Sequence, residues 1–120
     1  ILSESSDEFG YTKCLGWIPG KVSAISVDNL SIPHMGWNKM IIRGDADKIF
    51  SGIEGKDMYF AHSHSMKCPE KYIISYTNYG GKIVSSIKSG NIYGIQCHPE
   101  KSASVGKKFI QNFLTLEHDV

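Results

Sequence analysis

The residues best suited to chemistry stand together in YGIQCHPEKS, Tyr93 to Ser102. His98 and Glu100 are separated only by Pro99. In an extended segment, residues i and i+2 project to the same side, so imidazole and carboxylate can lie side by side. Proline cannot donate to a strand ladder; pairing ends there and the strand end opens to a cleft. Histidine as a residue type titrates near neutrality, and an adjacent carboxylate fixes its tautomer and stabilises the imidazolium. The chemistry that uses such a pair is attack of a Ser or Cys on an acyl carbon. The plainer reading is a half-exposed histidine and a solvated glutamate at a strand end.

Cys97, next to His98, is the tempting nucleophile. Adjacent strand residues face opposite sides. Cys97 is therefore expected to turn away from His98 and Glu100, into the core with Ile95 and Tyr93, as a small buried hydrophobe. Of the remaining cysteines, Cys14 and Cys68, only Cys68 has a histidine near it in sequence, His64. A zinc set of His62, His64, Cys68 and His98 uses an acceptable His-x-His spacing. It lacks a second close pair and resembles no common zinc module, so no metal is expected.

The elements that must position the pair are short. KVSAISV, residues 21–27, reads as a strand, and SIPHMGWN, 31–38, as a loop because of Pro33 and Gly36. NKMIIRG reads as a short strand. GKDMYFAHS, 55–63, reads as a better one, with Met58, Phe60 and His62 on one side and Tyr59 and Ala61 on the other. KYIISYTNY, GKIVSSI and NIYGIQC follow as strands, and the glycines of YGGK and KSGN suit antiparallel hairpins. Beyond Glu100 the spacing of Val105, Phe109, Ile110, Phe113 and Leu114 or Leu116 predicts a helix, capped by Ser102 or Ser104. Residues 1–13 are polar and read as connection. The class is α/β.

Composition narrows the function. The 120 residues are 41% hydrophobic, enough for a real core in one domain. Thirteen Lys plus Arg against twelve Asp plus Glu give no electrostatic reason to expect nucleic acid or an anionic membrane. No apolar run is long enough to span a bilayer. The opening ILSESSDEFG lacks the basic region of a signal peptide. Three cysteines without paired spacing fit a reducing compartment, so a cytoplasmic protein is expected. The first residue is Ile1, not Met, which predicts either a processed start or a piece of something longer.

YGIQCHPEKS resembles the C-terminal catalytic motif of class I, triad-type glutamine amidotransferases, commonly G-[VI]-Q-F-H-P-E. Within that superfamily, CLGWIPGKV, IPHMGWN, MYFAHSHS, YTNYGGKIVSSIKSGNIYGIQCHPEKS and GKKFIQNFL together are similar to the branch of glutaminase subunits of imidazole glycerol phosphate synthases. The order and spacing fit from end to end, and PHMGWN is the most specific piece. The resemblance implies a three-layer α/β fold around a mixed central sheet. Residues 1–120 would hold the C-terminal part of that single domain. It implies hydrolysis of glutamine to glutamate and ammonia, without a cofactor. The ammonia passes to a synthase partner, a (β/α)8 barrel, for histidine biosynthesis.

The family nucleophile is a cysteine on a G-x-C-x-G elbow, and no such elbow occurs in these residues. The resemblance places ILSESSDEFG just past it. Alone, then, the chain is expected to be inactive and to fold poorly, with part of its sheet lacking neighbours. His98 matches the family base and Glu100 its orienting carboxylate. Glu8 matches a residue near the amino group of glutamine. Ser63 and His64 fall on the glutamine site, where His64 departs from a usual Tyr. Cys97 departs from a usual Phe, which fits packing. Pro33, His34, Met35, Gly36, Trp37 and Asn38 match the segment that docks on the synthase and approaches the ammonia passage; Lys101 lies close to that interface. Read without the resemblance, Met35 and Trp37 also suit a local hydrophobic plug, Glu8 a solvated charge and His62 a satisfied core histidine. Two other functions stay open. One is a paralogous subunit supplying ammonia to amidinate a surface-polysaccharide sugar. The other is a truncated, non-catalytic module that binds the barrel partner.

Overall fold

The computed structural model describes residues 1–26, 30, 32–43 and 48–116. In chain order the strands are β1 (Ser5–Ser6), β2 (Thr12–Lys13), β3 (Lys21–Ala24), β4 (His34–Lys39), β5 (Ile41–Ile42), β6 (Asp57–His62), β7 (His64–Lys67), β8 (Ile73–Asn78), β9 (Lys82–Ser89) and β10 (Ile92–Ile95). Helix α1 spans Ala103–Thr115. Short 3-10 turns cover Lys48–Phe50, Glu70–Tyr72 and Pro99–Lys101.

Among the described residues the strands form three sheets. One runs β2-β1-β3-β7 and is mixed: β1 and β3 are parallel, the other pairs antiparallel. A second runs β10-β9-β8-β5 and is antiparallel throughout. The third is the ribbon β4-β6. The α/β class and the mixed sheet match the sequence reading, as do the hairpins β8-β9 and β9-β10. Gly90 turns the second hairpin at φ +58°, a backbone state that costs glycine nothing.

Several elements differ from expectation. Residues 34–39 are strand, not loop. His34, Gly36 and Asn38 face inward while Met35 and Trp37 face out, in register with His62, Phe60 and Met58 of β6. Cross-strand pairing overrides the glycine and the nearby proline, and Gly36 holds φ +120° within the strand. Residues 1–13 contribute β1 and β2 instead of simple connection, because β3 offers β1 a parallel edge. The strand expected over 21–27 ends at Ala24, and Val27 lies outside the described residues, as do Ser31 and Gly44 of the neighbouring segments.

The main core gathers Met40, Ile49, Phe50, Ile53, Met58, Phe60, Cys97 and Phe109, with Tyr93, Val105 and Leu116 packed against it. Each such side chain contributes about 1.5–3 kcal/mol by leaving water. α1 docks through Phe109 and through Asn112, whose amide donates to the carbonyls of Ile49 and Ser51 at 3.0 and 2.8 Å. Those two bonds hold the 3-10 turn before β6 on the helix, and so set where β6 begins. A second core under the mixed sheet holds Ile18, Ile73 and Ile87. Ile95, expected in the core, is 37% exposed: β10 ends there, and the chain turns before Cys97 goes inward.

Candidate active site

The segment that carries His98 is pinned to β6 by one residue's backbone. Tyr59 presents its N–H and C=O on the edge of β6 that β4 leaves open. The His98 N–H donates to the Tyr59 carbonyl at 2.8 Å. The Tyr59 N–H donates to the Ser102 hydroxyl at 2.9 Å, and that hydroxyl donates to the His98 carbonyl at 2.6 Å. Ser102 is fully buried. It stands at the N-cap position of α1, yet its side chain does not cap the helix; it closes this bridge instead. We expect Ser102→Ala to strand the Tyr59 N–H, while the His98 carbonyl keeps the Lys101 N–H at 3.0 Å, costing about 2 kcal/mol in denaturant unfolding. An unchanged midpoint would show that water replaces the hydroxyl.

His98 and Glu100 do meet, with Nδ1 and Oε1 2.7 Å apart, but not through strand geometry. His98 is the last extended residue, at φ −108° and ψ 92°, and Pro99 then starts a 3-10 turn. Proline suits that position because its fixed φ is helical and its missing N–H would find no partner there. The turn, not a two-residue alternation, swings Glu100 back against the imidazole. With Glu100 ionised, Nδ1–H is the donor and Nε2 is left as the basic nitrogen. The Glu100 carboxyl is held below its usual range, first by its own backbone N–H and then by the His98 hydrogen bond. Both side chains reach solvent.

No cysteine among the described residues is hydrogen-bonded to His98. Cys97 is 5% exposed, with its Sγ 3.9 Å from the Met40 Sδ. Burial pushes its thiol up to about 12, so it stays protonated at neutral pH. Burial also raises Cys68. Cys14 donates to the Thr12 carbonyl, at 3.6 Å.

A second cluster lies at the end of the β4-β6 ribbon, where His34 and His62 are cross-strand partners. The His34 ring is stacked between Phe60 and Tyr79, with centroids 5.0 and 4.1 Å away. Its Nδ1 lies 2.9 Å from Nε2 of His62. The His62 Nδ1 lies 2.9 Å from the His64 carbonyl, which can only accept. The protons follow by assignment along the chain. His62 is Nδ1–H, His34 donates Nδ1–H to His62, and the Asn38 amide faces the His34 Nε2 at 3.3 Å. His34, matched by resemblance to a docking segment, is thus 3% exposed and faces inward; Met35 and Trp37, at 61% and 52%, face out.

Burial, then the neighbouring His62, lowers the pKa of His34 from 6.5 to about 4. His62 is lowered too: burial comes first, the bond to the His64 carbonyl opposes it, and the charge of His98 adds to it. The unfolded chain therefore binds more protons than the folded one between pH 6.5 and 4. Stability is fully present above pH 6.5 and is lost as pH falls. For His34 the loss reaches roughly 2 kcal/mol by pH 4.5. Urea midpoints measured from pH 7 to 5, where carboxylates titrate little, should fall with pH, and His34→Phe should flatten that slope.

The other predicted positions separate into two groups. Ser63 and His64 stand together at the corner between β6 and β7, Ser63 Oγ 3.0 Å from His64 Nδ1. Here the chain leaves β4 as its partner and takes β3, and the Ile25 N–H donates to the Ser63 carbonyl. Glu8 is exposed just past β1, its N–H on the Ser6 hydroxyl. The register Ser6–Val22–Met66 puts Glu8 at the same sheet end as His64. No contact joins Glu8 to His98 among the described residues. Lys101 is exposed on the 3-10 turn, and Pro33 is exposed before β4. The His62, His64, Cys68, His98 metal set does not assemble: both nitrogens of His62 are already hydrogen-bonded, and no group of three ligands is placed for a metal among the described residues. Among them, too, no helix is long and apolar enough to cross a membrane.

Three contributors carry no motif of their own: Ser102, Gly106 beneath the turn, and the His34–His62 bond. Of the paired alternation that holds the last, the sequence shows only the β6 half, Met58, Phe60 and His62; the half on β4 reads as loop.

Comparison with known proteins matches residues 7–116 to the family described as Glutamine amidotransferase class-I. The chain is 44% identical over 116 residues to the imidazole glycerol phosphate synthase subunit HisH 2 of Vibrio vulnificus (strain YJ016), covering 95% of this chain and 54% of that protein. It is 42% identical over 114 residues to the subunit HisH of Listeria monocytogenes serotype 4b (strain CLIP80459), covering 94% and 54%. To the subunit HisH of Pelagibacter ubique (strain HTCC1062) it is 49% identical over 109 residues, covering 88% and 52%. The chain spans about half the length of the curated relatives it matches.

Proposed function

The chain belongs to the class-I glutamine amidotransferase family, and from that premise we propose that it is the base-bearing part of a glutaminase subunit of imidazole glycerol phosphate synthase. The observation that carries this reading is the 2.7 Å His98–Glu100 bond on a turn pinned to β6. The relatives' names, subunits of imidazole glycerol phosphate synthase, favour a synthase subunit as partner; the histidine pathway and a (β/α)8-barrel form of that partner are what the family resemblance adds to the reading.

The reaction begins at a cysteine thiol outside these 120 residues. The thiol proton passes to Nε2 of His98 as the sulfur attacks the carboxamide carbon of glutamine. The resulting imidazolium, steadied by the Glu100 carboxylate, protonates the amide nitrogen, and ammonia leaves from a glutamyl thioester. Neutral His98 then takes a proton from water as its oxygen attacks the thioester carbon, and returns that proton to the sulfur. Glu8 and the Ser63–His64 corner hold the glutamine. Met35 and Trp37 on the outer side of β4, with exposed Pro33 before it and Lys101 on the 3-10 turn, form the face toward the synthase, while Gly36 and Asn38 support it from the inner side; exposed aromatic and Met side chains suit such a face. Cys97 takes no part in the chemistry: a thiol pushed up to about 12 supplies too little thiolate.

The test is direct. Full-length protein containing these residues, co-purified with the synthase subunit, should release glutamate from glutamine and restore growth of a histidine auxotroph that lacks the glutaminase. Glutamate release without restored growth moves the protein to another pathway. No glutamate release overturns the reading.

A further inference from the structure

We infer that the His34–His62 pair is a positioning device that holds the Ser63–His64 corner in its glutamine-binding shape. This rests on the glutaminase reading above. The pair makes no hydrogen bond to His98 or Glu100, although His62 feels the charge of His98, so packing alone would be its ordinary role. Its hydrogen bonds say more. Every polar atom of both rings has a partner, and the partners run in one direction: Asn38 amide to His34, His34 Nδ1–H to His62 Nε2, His62 Nδ1–H to the His64 carbonyl. The last bond spans the corner itself, from residue 62 to residue 64, across Ser63.

That corner is where β6 hands over to β7 and changes sheets. A single residue, Ser63, makes the change, so its backbone has little else to hold it beyond the Ile25 N–H on its carbonyl. A His62 ring in the other tautomer, or rotated, would withdraw the donor from the His64 carbonyl. What fixes the His62 tautomer is the His34 donor on Nε2. What fixes the His34 ring is its stack between Phe60 and Tyr79. His34 acts on the corner only through His62, and is therefore a positioning residue.

Two substitutions at one site separate the roles. His34→Phe keeps an aromatic ring in the stack and removes the donor. His34→Asn keeps an amide N–H at the position of Nδ1 and removes the ring. The measurement is steady-state glutamine hydrolysis by the full-length protein with its synthase subunit, alongside long-range 1H–15N spectra of the imidazoles. His34→Phe should raise KM for glutamine about tenfold while kcat stays within about twofold, since the loss falls on binding geometry. His62 should lose its single Nδ1–H tautomer in the spectra. His34→Asn should keep KM nearer to wild type although it disturbs the packing more. Equal KM in wild type and His34→Phe, or a larger KM change in His34→Asn, would overturn the inference while glutaminase activity in the wild type leaves the underlying reading intact. A wild type without glutaminase activity overturns both.

Discussion

Replacing His98 by alanine in the full-length protein should lower glutamine hydrolysis about a thousandfold, the middle of the range for losing a general acid–base group. The fold should hardly notice. The side chain is 37% exposed and bonded only to an exposed carboxylate, and such surface pairs contribute little to stability. The His98 backbone, whose N–H and C=O carry the bridge to Tyr59 and Ser102, is untouched by the substitution. Loss of activity at an unchanged unfolding midpoint is therefore the expected signature. An equal loss of both would mean that His98 is a structural residue.

Gly106→Ala should be damaging by the opposite route, through the fold. Helix propensity alone predicts a gain of close to 1 kcal/mol for this change in an exposed helix interior. Here the added Cβ would stand 1.8 Å from the Pro99 carbonyl oxygen and 2.8 Å from the Cβ of Ser102. A backbone carbonyl cannot step aside without moving the turn that holds Glu100 against His98. Overpacking of this kind costs about 1–3 kcal/mol or more. The Gly106 N–H also bonds the Ser102 carbonyl, so helix and turn shift together. We expect net destabilisation of roughly 2 kcal/mol in urea unfolding, with activity falling at least tenfold even under conditions where the protein remains folded. A more stable, fully active Gly106→Ala protein would contradict a tight seat of α1 on the turn.

How far the sequence alone leads can be judged at particular residues. The hairpins of β8, β9 and β10 were legible because glycine turns and apolar strands agree at both local and sheet level. His98 and Glu100 were legible as partners, since two residues with a proline between them meet in either a strand or a turn. Which of these applies was not legible, because the choice depends on where β10 loses β9 as a neighbour. β4 was hidden for the same reason: Pro33 and Gly36 speak for a loop, and only β6 across the ribbon speaks for a strand. The spacing of Ile110 and Phe113 predicts burial, yet both stand about 40% exposed, although the Tyr93 ring of β10 meets Phe113 edge-on at 5.9 Å. Ser102 was legible only as a helix cap, and Gly106 not at all, because what matters there is a contact with residues distant in sequence or across a turn. A small residue gives no sign of such a contact on its own.

The central claim is that His98 and Glu100 serve a thiol other than Cys97. A chloromethyl ketone analogue of glutamine alkylates whichever thiolate sits at the glutamine site. Full-length protein bound to its synthase subunit, treated with that reagent and mapped by mass spectrometry, should carry one adduct, on a cysteine outside residues 1–120, with Cys14, Cys68 and Cys97 unmodified. The adduct should become far slower to form in His98→Ala. Alkylation of Cys97 at the wild-type rate of inactivation would contradict the account.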